Sequence, residues 1–146
     1  MSDPQKHDTG ASRRLAPVHS LLYHFRGWAN DCHCAAVGKC LLAFSENIDL
    51  SVYDQRPMIK YTDKTIVTRE ELEKELRQVK QQGYAVDDEE REIGLTCIGA
   101  PILKNGQYAV AAISLSGPTG RIKDENFQKK IERLCQVTRE ISNSLR

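Results

Sequence analysis

The chain has 146 residues, of which 40% are hydrophobic and 28% are charged, so it is long enough for one globular core and too short for two. Lys and Arg number 21 against 20 Asp and Glu, and the formal net charge of +1 provides no basic surface that would attract a phosphate backbone. No window approaches the run of about 18 apolar residues that a membrane helix needs, and residues 1–10 lack the apolar core of a signal peptide. We therefore expect one cytoplasmic domain that contacts neither DNA nor a membrane directly.

The cysteines are odd in number and lack the even spacing of a secreted disulfide framework, which indicates reduced thiols in a cytosol. They are Cys32, Cys34, Cys40, Cys97 and Cys135. The tripeptide Cys32-His33-Cys34 also suggests a metal site, because thiolates and imidazole are zinc ligands. Three consecutive residues do not converge easily on one tetrahedral ion and no fourth ligand is evident, so we expect no metal and no cofactor.

The first part of the chain gives one strand and one helix. Residues 1–20 show no period of 2 or 3.6 and are expected to be a disordered lead-in. Residues 21–28 alternate aromatic and polar side chains, which predicts a strand. The small and apolar residues over 35–44 predict a short, mostly buried helix, and Gly38 in its first turn indicates that another segment lies close to it.

Two amphipathic helices follow. The first begins at Thr68, which has capping-box spacing to Glu71, and stops at Gly83. Its apolar face carries Leu72, Leu76 and Val79. The second is predicted over about residues 124–145. Its apolar face carries Phe127, Ile131, Leu134, Cys135, Thr138 and Ile141.

Between these helices, Asn105-Gly106 separates two apolar segments and predicts a hairpin with a two-residue type I′ turn. Strands and helices in this order indicate an α+β domain with an antiparallel sheet. If the turn holds only these two residues, the following pairs face each other on one side of the sheet: Cys97 and Ser114, Leu95 and Ser116, Gly99 and Ala112.

That side of the hairpin combines a thiol and two hydroxyls with the small residues Gly99 and Ala112, which are expected to leave room above the sheet. A few polar groups in a roomy, partly apolar site are typical of a small-ligand pocket. The alternative, that the two serines face water from a half-exposed sheet, stays open. The opposite side is predicted to be the core side and carries Ile98, Ile102, Ala109, Ala111, Ile113 and Leu115.

Three sequence blocks resemble the effector-binding domain of IclR-type bacterial transcription regulators. They are His33–Ala43 (HCAAVGKCLLA), Gly83–Pro101 (GYAVDDEEREIGLTCIGAP) and Ala112–Pro118 (AISLSGP). The resemblance covers residues 21–146 and implies a GAF- or profilin-like fold, an antiparallel sheet with helices packed on its faces. The DNA-binding winged helix-turn-helix, the linker helix and the opening sheet and helix of the sensing domain are expected to be absent from this partial domain.

The resemblance also implies a ligand site. Its side chains are those of Asp87, Cys97, Ser114 and Ser116, and its main-chain amides are those of Ala36 and Val37. Free N–H groups at a helix start favour a carboxylate, and the implied effector is a small organic acid, a sugar-derived acid or an aromatic. The implied partners are that effector and a homo-oligomer or an intact regulator of the family. Ala35, where Thr or Ser is common, and Thr96, where Arg is common, depart from the pattern.

Two other readings compete with a repressor-type sensing domain. A GAF-like redox enzyme could use the cysteines as attacking and resolving thiols. Because Asp87 is expected to raise the pKa of the Cys97 thiol, which disfavours a nucleophile, we expect no enzyme. A fragment without its opening strands would also expose a sheet edge, and it could then act by pairing with intact regulators or be a non-functional remnant.

Overall fold

The computed structural model describes residues 31–47 and 49–145. The predicted lead-in over 1–20 and the predicted strand over 21–28 lie outside these ranges. The helices and strands are α1 (Ala36–Ala43), α2 (Val52–Gln55), α3 (Arg69–Gln82), β1 (Ala85–Asp88), β2 (Leu95–Lys104), β3 (Tyr108–Pro118), α4 (Thr119–Ile122) and α5 (Phe127–Ser144). The described strands form one antiparallel sheet in the order β1-β2-β3. The predicted α+β class is therefore confirmed.

Helix α3 begins and ends where local sequence signals place its ends. The Thr68 side chain accepts a hydrogen bond from the Glu71 N–H, and Gly83 closes the helix in the left-handed conformation with φ 88°. Leu72, Leu76 and Val79 are its buried residues. Helix α1 likewise matches its prediction, since all of its residues except Val37 are buried.

The hairpin has the predicted turn but not the predicted register. Asn105 and Gly106 both have positive φ, 56° and 66°, as a type I′ turn requires. The first ladder pair is nevertheless Lys104 with Tyr108. The register shifts again between Ile102 and Leu103, where a β-bulge leaves Val110 as the extra residue.

Neighbouring helices explain this irregularity. The Leu103 N–H donates to Ser142 Oγ of α5 at 2.9 Å, and the Ala109 N–H donates to the Phe44 carbonyl at the end of α1 at 3.0 Å. As a result Cys97 pairs with Ser116 rather than with Ser114. Because the two shifts add to an even number of residues, the predicted side chains still share one face.

Helices cover both faces of the sheet, which corrects the prediction of a single core side. Ala85 and Ala112 belong to the larger apolar cluster, which α1 and α3 complete. On the opposite face Ile98 packs with Ile122 of α4 and Ile131 of α5. The predicted core face is thus only one of two. Its outer end is thinly covered, since Leu115 is 40% exposed.

Helix α5 starts three residues later than predicted, at Phe127, because α4 and a short turn precede it. Ile131 and Thr138 are buried, and Phe127, Leu134 and Cys135 pack against the cluster that contains Ile131. Within the described ranges, no helix is both long enough and apolar enough to cross a bilayer.

Candidate functional site

The candidate site begins with a row of side chains across the three strands. Asp87 of β1 pairs directly with Cys97 of β2, and Cys97 pairs directly with Ser116 of β3. In the next row on the same face, Gly99 pairs with Ser114. Directly opposed residues have Cβ atoms about 4.5–5.5 Å apart. The sheet therefore brings together all four side chains that the resemblance implied.

The start of helix α1 lies directly on this face. A Cβ atom added at Gly99 would be 2.9 Å from both the carbonyl carbon and the carbonyl oxygen of Ala36. The expectation that Gly99 leaves room for a ligand is therefore wrong, since the Ala36 backbone fills the space above it. The glycine instead lets the helix start approach the polar row.

The first turn of α1 provides amides next to that row. Ala35 precedes the helix in an extended conformation and makes no side-chain capping bond. Thr or Ser is common at this position, and alanine lacks the side-chain oxygen that those residues use to cap a helix. The first N–H groups of a helix have no partner within the helix, and those of Ala36 and Val37 belong to this turn. The segment that was predicted to lie close to Gly38 is the one around Cys32, because a Cβ atom added at Gly38 would be 2.5 Å from Cys32 Cα.

Burial changes steeply along the polar row. Asp87 is 2% exposed, and its Oδ1 accepts a hydrogen bond from the Glu90 N–H at 2.8 Å. Ser114 and Ser116 are exposed, and Cys97 is intermediate. Burial raises the pKa of Asp87, whereas the Glu90 amide and the Lys39 charge act in the opposite direction. The row thus joins a buried carboxyl group to hydroxyls that a small molecule can reach.

A buried ion pair beside this row was not predicted. Lys39 of α1 is 0% exposed, and its Nζ lies 2.8 Å from both Oε1 and Oε2 of Glu90. The Nζ also donates to the Val86 carbonyl at 3.0 Å. A single cation inside an otherwise apolar helix was the available signal, since such a residue needs a buried partner.

A second polar cluster lies near the turn that follows β1. The Tyr61 hydroxyl donates to Asp31 Oδ1, and the Arg91 guanidinium stacks 3.8 Å from the centre of the Tyr61 ring. Arg91 Nε is 3.7 Å from Asp31 Oδ2. This cluster ties the segment before α1 to the turn. Thr96, by contrast, lies on the opposite face, where its Oγ1 is 2.9 Å from that of Thr119.

The cysteines do not have the properties of redox nucleophiles. All five lie in the described part of the chain and none is in a disulfide. Burial raises the pKa of Cys32, Cys34 and Cys40 to about 12. The pKa of Cys97 is also raised, by burial first and by Asp87 to a smaller extent, although a hydrogen bond with Ser116 opposes the shift. Thiols in this state are poor nucleophiles at neutral pH.

The tripeptide Cys32-His33-Cys34 was the reason to consider a zinc site. The His33 Nε2 is 2.9 Å from the Ile59 carbonyl, so this ring nitrogen is engaged with backbone. Among residues 31–47 and 49–145, no three His, Cys, Asp or Glu side chains are grouped as metal ligands would be.

Comparison with known proteins identifies the family. A family model described as bacterial transcriptional regulator IclR C-terminal matches residues 19–143. The chain is 36% identical over 134 residues to the HTH-type transcriptional repressor AllR of Escherichia coli (strain K12), an alignment that covers 91% of this chain and 46% of AllR. It is 35% identical over 130 residues to the HTH-type transcriptional regulator BhcR of Paracoccus denitrificans (strain Pd 1222), covering 87% of this chain and 47% of BhcR.

The fold agrees with these sequence matches. The crystal structure of the C-terminal domain of the E. coli transcriptional regulator KdgR superimposes with a TM-score of 0.68 at 34% identity, covering 77% of this chain and 69% of that one. The chain therefore belongs to the family of C-terminal domains of IclR-type bacterial transcriptional regulators. It spans about half the length of the curated relatives it matches. The resemblance noted from the sequence and the GAF- or profilin-like fold are both confirmed.

Proposed function

We propose that this chain is the effector-sensing domain of an IclR-type DNA-binding regulator and that it binds a small organic acid without making or breaking a bond. Ligand binding here controls transcription by the whole regulator in the cytoplasm. The observation that carries the proposal is the meeting, at Gly99, of the Asp87–Cys97–Ser116 row with the first turn of α1.

Each part of the site has a distinct role in this proposal. The ligand carboxylate lies at the amides of Ala36 and Val37, where the helix dipole favours a negative charge. Ser114, Ser116 and Cys97 hydrogen-bond to the remaining polar atoms of the ligand. Asp87 accepts a hydrogen bond from a ligand hydroxyl. Because burial raises its pKa, Asp87 is also more readily protonated than an exposed aspartate and can then donate one.

The test is a thermal-unfolding titration of the full chain with pyruvate, lactate, gluconate and 3-hydroxybenzoate. We expect at least one acid to give a saturable rise, since a ligand at 100 times its Kd adds about 2.7 kcal/mol of stability. The uncharged amide of that acid should give none. Asp87→Ala should abolish the rise, whereas Glu132→Ala, which changes an exposed residue of α5, should retain it. The absence of a saturable rise across the panel would contradict the proposal.

We also propose that the chain associates with a second copy or with an intact regulator of the family. Strand β3 supports this, because it pairs with only one neighbour in the described sheet and an open strand edge is a template for pairing. Sedimentation at increasing concentration tests the association, and a monomer at all concentrations, alone and mixed with an intact homologue, would contradict it.

A further inference from the structure

Lys39 holds the chain on both sides of Asp87. Its Nζ donates to the carbonyl of Val86, the residue before Asp87, at 3.0 Å. It also donates to both carboxylate oxygens of Glu90 at 2.8 Å. Glu90 in turn donates its N–H to Asp87 Oδ1 at 2.8 Å. The Asp87 carboxyl, a proposed ligand-binding group, thus lies between the Val86 carbonyl and the Glu90 carboxylate, and both of these accept hydrogen bonds from Lys39.

Stability alone is a poor explanation for this arrangement. An ammonium group has three donors, and the two oxygens of Glu90 and the Val86 carbonyl use all of them. Such a pair is costly to bury, and apolar residues of similar size are often as stable. What an apolar pair does not provide is a directed link between two elements, and here those elements are α1 and the turn after β1.

The turn itself is anchored from a further segment. The Glu90 carbonyl accepts a hydrogen bond from Thr65 Oγ1 at 2.5 Å. The Thr62 hydroxyl donates to the Glu89 carbonyl at 2.6 Å. Glu90 is therefore held both by Lys39 and by the loop that contains the two threonines, which leaves the Asp87 carboxyl little freedom to move relative to α1.

We propose that Lys39, acting with Glu90, is a positioning residue for the ligand site, because it fixes the Asp87 carboxyl relative to the helix-start amides of Ala36 and Val37. The inference rests on the proposed function for its consequence in binding, and it specifies which residues outside the ligand contacts set the affinity. Lys39 is only two residues after Val37 along α1, so its side chain ties the turn that holds Asp87 to the same helix that carries the amides.

Several charged or titratable groups influence Asp87, and a test must separate them from Lys39. Besides Lys39, they are Cys34 before α1, Asp88, Glu90 and the Arg91 amide around the turn after β1, and Cys97 of β2. Glu75 of α3 faces Lys39, whose Nζ is 4.0 Å from Glu75 Oε2. Lys39 is the cation whose charge acts on Asp87 most directly, since it opposes the raised pKa of that group.

The first experiment is calorimetric titration with the acid that the thermal panel selects, pyruvate being the first probe. Lys39→Met should weaken binding by about tenfold, the amount expected when a charged hydrogen-bonding group is removed. Lys39→Arg should restore most of the affinity. Ile131→Ala, which leaves a cavity in the apolar cluster on the opposite face, should leave the affinity within about twofold because Ile131 lies on α5 and is not adjacent to any of the proposed ligand groups.

A double-mutant cycle separates positioning from a general loss of structure. In an Asp87→Asn background, Lys39→Met should cause no further loss of affinity, since its effect passes through the Asp87 carboxylate. A full additional loss in that background, or an unchanged affinity in Lys39→Met alone, would overturn the proposal. If Lys39→Met does not fold, Glu90→Gln takes its place with the same expectations.

A second readout needs no ligand. Carbon-13 NMR of the Asp87 carboxyl should show its titration displaced to higher pH in Lys39→Met, because a nearby positive charge has been removed. The Glu90 amide should also exchange faster with solvent. If the wild type binds no acid, the proposed function fails, and these two measurements alone decide the positioning role. Unchanged titration and exchange would overturn it.

Discussion

On the side of the sheet that α1 and α3 cover, the buried side chains include the lysine and carboxyl groups of Lys39, Asp87 and Glu90. On the side that α4 and α5 cover, they are mainly isoleucines, together with the hydroxyl of Thr96. The two sides belong to one sheet and share its strands. They differ in whether the covering helix brings a buried charge to the strands, because the charge that Lys123 brings to Asp88 on the second side is partly exposed.

The difference shows where this domain departs from simple packing. Burial of isoleucine contributes about 25 cal/mol per Å² of apolar surface and depends little on direction. A buried ion pair contributes little net stability but is strongly directional. The first side is therefore suited to holding groups at fixed positions, and the second side is suited to holding the sheet together.

The largest expected effect comes from breaking the ion pair. Lys39→Met leaves the Glu90 carboxyl buried without its cation. This side chain is only 9% exposed in the wild type, and burial already raises its pKa. The free energy of unfolding in urea should fall by about 3–5 kcal/mol. Lys39→Met combined with Glu90→Met should recover most of this loss, because an apolar pair replaces the ions. A double variant as unstable as Lys39→Met would contradict this account of the first side.

A glycine on each side gives the next largest effect. In Gly99→Ala the new Cβ would meet the Ala36 backbone at 2.9 Å, so α1 must shift, at a cost of about 1–3 kcal/mol. The acid-induced rise in melting temperature should also disappear. The matched control is Gly117→Ala, where the nearest atom is the end of the Ile122 side chain at 3.3 Å. Its ligand response should persist, and equal effects of the two variants would argue against a site on the first side only.

The smallest expected effect is on the pH dependence of stability. It comes from two adjacent aspartates whose side chains point to opposite sides of the sheet. Burial raises the pKa of Asp87, whereas the hydrogen bond from Lys123 lowers that of Asp88. Asp87 therefore contributes stability that is present below the ordinary Asp pKa of about 3.9 and is lost as pH rises through its folded value. Asp88 contributes stability that is present above about pH 3.9 and is lost as pH falls through its own lowered value.

Urea unfolding of Asp87→Asn and Asp88→Asn from pH 3 to 7 measures how the contribution of each aspartate to the free energy of unfolding changes with pH. The stability difference from the wild type should change in opposite directions with pH, and for Asp88 it should stay below about 1 kcal/mol because the pair with Lys123 is partly exposed. Parallel pH profiles would show that the two aspartates do not occupy different environments.

Local sequence was sufficient for much of the fold. The caps of α3 at Thr68 and Gly83 depend on residues within one turn, and the structure has both. The Asn105-Gly106 turn depends on positive φ at two positions, and the structure has that as well.

Contacts between distant segments explain what local sequence did not predict. The register changed because the Leu103 N–H bonds Ser142, which is 39 residues away. The space expected above Gly99 is filled because α1 closes on the sheet. The ion pair between Lys39 and Glu90 joins residues 51 positions apart, and neither residue alone indicates its partner.

The sequence by itself determined the family, the helix boundaries set by caps, the tight turn, and the set of polar residues that share one face. Only the tertiary structure decided that both faces are covered, that Asp87, Cys97 and Ser116 lie in one row, and that Lys39 is buried beside them. The reason is that caps, turns and strand alternation depend on a few neighbouring residues. Burial and charge pairing depend on which distant segment packs on top.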